Sequence, residues 1–212
     1  TEVPAGFTVP QEGDLIGFRV AWVYNNSQEY AFSVSPEEGR RLSLAYAYLD
    51  PVFGTDFVVR RAIGDWREYI NLPFPHQVLA LRVVGGYASG DVILQRAFQL
   101  GGPMQTEEII ALDEEEIFLR GFSPREFRGQ RFGAGSLEYR FPFPNVERGY
   151  ESLPFFFRRF QGAIFTDTGS AWDKEPLLKD FHVGAGAEVK CDLTFAYLIP
   201  LRLGLGIARG FG

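Results

Sequence analysis

His182-Val183-Gly184-Ala185-Gly186-Ala187-Glu188-Val189-Lys190-Cys191-Asp192-Leu193-Thr194-Phe195-Ala196-Tyr197-Leu198-Ile199 is the stretch whose reading decides the fold. Val183, Ala185, Ala187, Val189, Cys191, Leu193, Phe195, Tyr197 and Ile199 fall on one face of an extended chain. The other face carries His182, Gly184, Gly186, Glu188, Lys190, Asp192, Thr194 and Ala196. Period two over this length predicts a single long strand. Its apolar face is longer than an ordinary soluble strand of about 5–6 residues needs. The opposite face is small or ionised, which suits a wet lumen better than a packed core. The fold class expected is therefore all-β, an antiparallel transmembrane β-barrel.

The same alternation extends outward in both directions. Leu201, Leu203, Leu205 and Ile207 oppose Arg202, Gly204, Gly206 and Ala208, with Pro200 turning the chain between the two strands. Upstream, Phe160, Ile164, Thr166 and Thr168 oppose Arg159, Gln161 and Asp167, and Leu137, Tyr139, Phe141 and Phe143 oppose Ser136, Glu138 and Arg140. Earlier strands are expected at 15–24, 30–34 (Tyr30, Phe32, Val34), 42–48, 57–72 and 79–88, the fourth with an untidy register. That makes about nine strands, joined antiparallel by turn signals such as Asn25-Asn26-Ser27 and Ser35-Pro36-Glu37-Glu38-Gly39. Turns at 35–39, 73–76 and near Pro200 are expected on the periplasmic side. Asn25–Ser27, 51–56, the 92–131 connection and 173–180 are expected outside.

Composition excludes several classes. The 212 residues carry a formal net charge of −6, which gives no electrostatic support for nucleic acid. No apolar run reaches the ~18 residues of a membrane-spanning helix, a criterion that does not apply to barrel strands. The single cysteine, Cys191, allows no internal disulfide and reads as a small lipid-facing apolar residue. His76 and His182 are the only histidines, and neither has a Ser or Cys partner in a catalytic motif. The pairs Gly85-Gly86 and Gly101-Gly102 lack the strand–helix context of a phosphate loop. Asp113-Glu114-Glu115-Glu116 reads as a solvated acidic run. No enzyme activity, cofactor or metal is expected. The chain opens on Thr1 without an initiator Met and reads as a processed chain or a fragment, with 1–14 a lead-in and 15–212 a partial barrel.

Three segments stand apart from this pattern. Leu119-Arg120-Gly121-Phe122 lies in the long connection, and Glu138-Tyr139-Arg140-Phe141-Pro142 and Phe165-Thr166-Asp167-Thr168-Gly169 lie in strands. Taken singly, Arg120 is an ordinary loop arginine and Asp167-Thr168-Gly169 a strand-end turn. Taken in order and spacing, they resemble the C-terminal part of the barrel in the BamA/TamA-type outer-membrane assembly and translocation superfamily, the surface-antigen family. The resemblance covers about 15–210. It implies a loop at about 92–131 folded into the lumen, with Arg120 meeting Glu138, Asp167 and Gly169 on the inner wall. Both acids fall on the inward face by alternation, and a guanidinium fork can serve two carboxylates.

The resemblance further implies residence in a Gram-negative outer membrane. The partners it implies are the lipid bilayer, client outer-membrane or secreted polypeptides and other envelope assembly proteins. Assembly or translocation without covalent chemistry is the expected function. A structural or transport barrel anchoring a multidomain envelope protein is the alternative, and a soluble β-rich binding domain the third. Nine strands would leave the barrel open unless other strands complete it, because unpaired edges in hydrocarbon are costly.

Overall fold

The computed structural model describes residues 14, 16–30, 33, 35–91, 97–102, 116–143, 148–149, 155–173, 180–196 and 198–211. The described residues form twelve strands, the long ones built on alternating sequence: β1 (Gly17–Asn25), β2 (Gly39–Leu49), β3 (Val59–Asn71), β4 (Val78–Gly90), β5 (Phe98–Leu100), β6 (Glu116–Ile117), β7 (Phe127–Gly129), β8 (Arg131–Pro142), β9 (Arg148–Gly149), β10 (Phe155–Trp172), β11 (His182–Phe195) and β12 (Ile199–Phe211). The long ones form one antiparallel sheet in the order β1-β2-β3-β4-β8-β10-β11-β12, with β9 pairing β10 off that path. Among the described residues, β1 and β12 are each paired on one side only.

Among the described residues there are eight long strands where nine were expected. Tyr30 and Ser33 belong to no strand, and Ala31, Phe32 and Val34 lie outside the described residues. Ser33 N–H donates to the Tyr30 carbonyl at 2.9 Å, and its hydroxyl donates to Glu37 at 2.7 Å. These local bonds satisfy groups that a ladder would otherwise claim. Asn25–Ser27 and Ser35–Gly39 therefore bound a single connection, at the same end of the sheet as the β3–β4 turn. That corrects the expected placement of Asn25–Ser27 at the opposite end. The chain also turns at Ala196–Leu198 rather than at Pro200, which pairs with Thr194 inside β12. Proline is tolerated there because β12 is an edge of this sheet.

The two faces of the sheet are unlike. Leu44, Val83, Leu137, Ile164, Val189 and Leu203 are exposed, while Arg61, Asp65, Arg82, Ser136, Glu138 and Asp167 are buried. Apolar side chains thus point outward and ionised ones inward, the reverse of a soluble sandwich. Cys191 and Leu193 depart from the outward set by being buried. In the ladder Cys191 stands between Phe160 and Leu203, and Leu193 between Phe157 and Leu201. A bulge between Phe157 and Arg159 brings the Phe157 and Phe160 rings into a stack 6.1 Å apart, covering this part of the wall. The irregular face of β3 resolves in the same way. Glu68 faces outward but accepts from Trp66 Nε1 and Arg40 Nη2, both at 3.0 Å, near a strand end.

What buries the inner face is the 91–130 connection between β4 and β8. It carries its own small sheet in the order β6-β5-β7. Phe98, Leu100, Ile117 and Phe118 from this connection join Ile63, Val84, Ala88, Phe132 and Ala134 from the wall in one apolar cluster. The Phe98 and Phe132 rings lie 4.6 Å apart, and burying each such side chain stabilises the docked connection by about 1.5–3 kcal/mol. A Cβ on Gly86 would collide with both rings, so that glycine makes room for the docked segment. The connection touches inward residues from β3 (Arg61 against Phe98) to β12 (Gly210 against Phe122), so the wall curls around it.

At the other end the 26–38 connection also turns inward. Ser33, Ser35 and Glu37 are buried there. The Ser33 carbonyl accepts a hydrogen bond from the guanidinium of Arg159 on β10, and Glu37 accepts from His76 Nδ1–H at 2.6 Å.

Candidate functional site

Arg120 follows the buried Leu119, whose backbone bridges Gly102. That bridge aims the arginine at the wall. Its Nε donates to Asp167 Oδ2 at 2.7 Å and its Nη2 to Asp167 Oδ1 at 2.8 Å. The Arg120 backbone N–H adds a third bond to Oδ2 at 3.2 Å. Nη2 also reaches the Ser136 hydroxyl at 3.1 Å, and that hydroxyl donates to Asp167 Oδ1 at 2.7 Å. Below the guanidinium lies the Phe165 ring, 3.4 Å from Cζ to centroid. Arg120 and Asp167 are 6% and 1% exposed. A charge pair this buried holds because both carboxylate oxygens and the Nε and Nη2 edge of the guanidinium are hydrogen-bonded.

Glu138 is the second carboxylate and plays a lesser part. Its Oε2 lies 3.5 Å from Arg120 Nη1, an ion pair beyond good hydrogen-bonding distance, while its Oε1 accepts from Arg140 Nε at 2.9 Å. Register places Ser136 opposite Asp167 and Glu138 opposite Phe165, which sets the whole cluster on two neighbouring strands. Gly169 lies further along β10, and the Cβ it lacks would sit 3.1 Å from Leu100 rather than near Arg120.

Backbone approach explains the glycines. Gly121 has φ +97°, and a Cβ there would lie 2.5 Å from the Arg209 carbonyl carbon of β12. A Cβ on Gly184 would overlap the Arg120 carbonyl oxygen. Phe122 packs its ring edge-on to Phe127 at 5.3 Å and lies 5.7 Å from His182, which stacks on Phe127 at 4.0 Å. Ser136, Phe165 and Gly184 were not singled out from sequence as partners of the arginine. Alternation alone puts all three on the inward face, so the signal was there. Of the acidic run, Asp113, Glu114 and Glu115 lie outside the described residues, and Glu116 opens β6.

The cluster contains charge pairs and packing, and the one hydroxyl in it, that of Ser136, bonds the carboxylate that Arg120 already engages. Among the described residues no group of three or more His, Cys, Asp or Glu could hold a metal ion. Among the described residues no helix is long and apolar enough to cross a membrane, which says nothing of crossing by strands. An antiparallel wall with an apolar outer face, an ionised inner face and a connection docked inside defines the class: a β-barrel protein of the outer membrane. The Omp85 superfamily domain matches residues 9–208, and the chain belongs to that superfamily of outer-membrane assembly and translocation proteins. No curated protein matches the chain.

Proposed function

We propose that the chain serves the assembly or translocation of client polypeptides at the outer membrane, and that docking of the 91–130 connection through Arg120 is needed for that work. The observation that carries the reading is the triple bond set between Arg120 and Asp167 in a buried site. A barrel built only as an anchor gains little from a buried charge pair, since apolar packing is as stabilising and often more so. A charged anchor has a different property. It is strong when formed and highly unfavourable when half-broken, so the connection occupies one defined position or leaves it altogether. Clients passing along or into the wall meet a connection with a definite state, and no covalent chemistry is required. The reading predicts that Arg120→Ala reduces delivery of a client outer-membrane protein into the membrane while the strands stay folded. Full client delivery by Arg120→Ala protein present at normal level contradicts it.

A further inference from the structure

The outer wall over β1–β4 is not smooth. Trp22, Leu44, Gly64, Gly85 and Gly133 pair successively across five strands on the outward face. The bare backbone at Gly64 and Gly85 leaves an apolar groove of about 530 Å³, walled by Val20, Trp22, Leu44 and Tyr46. At one end of this groove stand two outward arginines. Arg60 precedes Ala62 by two residues on β3, about 7 Å along the strand, and lies over the Tyr48 ring at 5.5 Å. Arg131 pairs with Tyr87 in register and lies over its ring at 5.1 Å. Both sit near strand ends, where a bilayer's headgroups meet the wall.

We infer that this groove and its arginine rim form a binding site for an acyl lipid with an anionic phosphate headgroup. The chain would lie in the glycine-floored groove, and the phosphate would meet Arg60 and Arg131. The wall faces lipid along its whole length, so its neighbour at this depth is hydrocarbon. Two cations at one end of an apolar depression then match an amphiphile with charge at one end. Arginine suits phosphate because its planar fork donates two parallel bonds. Asp50 is the carboxylate beside Arg60. It accepts from the Tyr48 hydroxyl and from Val52 N–H, while the Arg60 side chain itself stays exposed. The net charge of −6 works against general attraction of anionic lipid, so any preference must be local.

The test uses the full chain with Trp66→Phe and Trp172→Phe, which leaves Trp22 in the groove as the sole tryptophan. The protein is reconstituted into phosphatidylcholine vesicles containing a minority of lipid brominated on its acyl chain. That lipid is phosphatidylglycerol in one arm and phosphatidylcholine in the other. Trp22 should be quenched more by the brominated phosphatidylglycerol, with local enrichment of roughly fivefold per arginine. Equal quenching in the two arms overturns the proposal. Arg60→Ser with Arg131→Ser should abolish the preference, and its survival overturns the rim assignment. Should the double variant not fold, Arg60→Ser alone decides, because that side chain is exposed; an undiminished preference again overturns the site. Gly64→Leu should reduce the enrichment by filling the groove, since a Cβ there meets only the Leu44 side chain. Unchanged enrichment in that variant overturns the groove.

Discussion

Arg120 binds Asp167 through its guanidinium and through its own backbone N–H, so the side chain and the loop backbone are fixed to the wall by one carboxylate. The bond from the backbone matters because any substitution of Arg120 other than proline keeps its donor. Lysine at 120 keeps the charge and the backbone bond but loses the fork, the Ser136 contact and the flat stacking on Phe165. Arg120→Lys should therefore retain part of the docking, with a cost of about 1–2 kcal/mol against about 2–4 for Arg120→Ala. Hydrogen exchange of the 116–130 amides in each variant measures the order.

Gly184 tests the approach of the loop without touching a charge. Its substitution by alanine forces a Cβ into the Arg120 carbonyl oxygen, and backbone cannot swing aside as a side chain can. Gly184→Ala should weaken docking by about 1–3 kcal/mol. Gly135→Ala on the outward face is the control, because a Cβ there meets nothing nearer than 3.7 Å. It should fall within about 0.5 kcal/mol of the parent in a refolding titration.

The inward 26–38 connection should respond to acid. Burial pushes the Glu37 carboxyl up, but hydrogen bonds from His76 and Ser33 and the charge of His76 outweigh it, holding the group below its ordinary value. A depressed carboxyl contributes stability above its unfolded pKa and loses it as pH falls through the lower folded value. Protection of residues 33–38 should therefore hold near neutrality and decline below about pH 4.5. Glu37→Gln should remove that decline. Protection factors that stay flat with pH in the parent protein would contradict the assignment.

The membrane-facing wall makes a prediction opposite to that of a soluble sheet. Leu203 is 58% exposed, so in water its replacement by arginine would be nearly neutral. Facing hydrocarbon, Leu203→Arg should destabilise by about 2–4 kcal/mol. Comparing its refolding into vesicles with that of the parent distinguishes the two.

Much of this was legible in sequence, for identifiable reasons. β8, β10, β11 and β12 alternate cleanly because one face meets lipid and the other ionised or small residues, so each residue type reports its side. The acids at 138 and 167 could be placed inward by parity alone. Of the strand expected at 30–34, Phe32 and Val34 lie outside the described residues, while Ser33 turns inward to bond Glu37 and the Tyr30 backbone, which alternation does not reveal. The small β6-β5-β7 sheet escaped because strands of two or three residues are too short to show a period. The division of labour between the two acids was also beyond the sequence. Arg140 sits two residues from Glu138 on the same face and takes one of its oxygens, which leaves Asp167 as the main partner of Arg120.

The central claim is that Arg120 and Asp167 act as one unit in holding the connection and in client assembly. A double-mutant cycle of Arg120→Ala, Asp167→Ala and the pair measures this directly, with client assembly and loop protection read on the same proteins. The account predicts that the double variant is no worse than either single one, giving a coupling of about 2–4 kcal/mol in loop protection and a matching non-additivity in assembly. Additive losses, or full assembly by both single variants with the connection released, would contradict it.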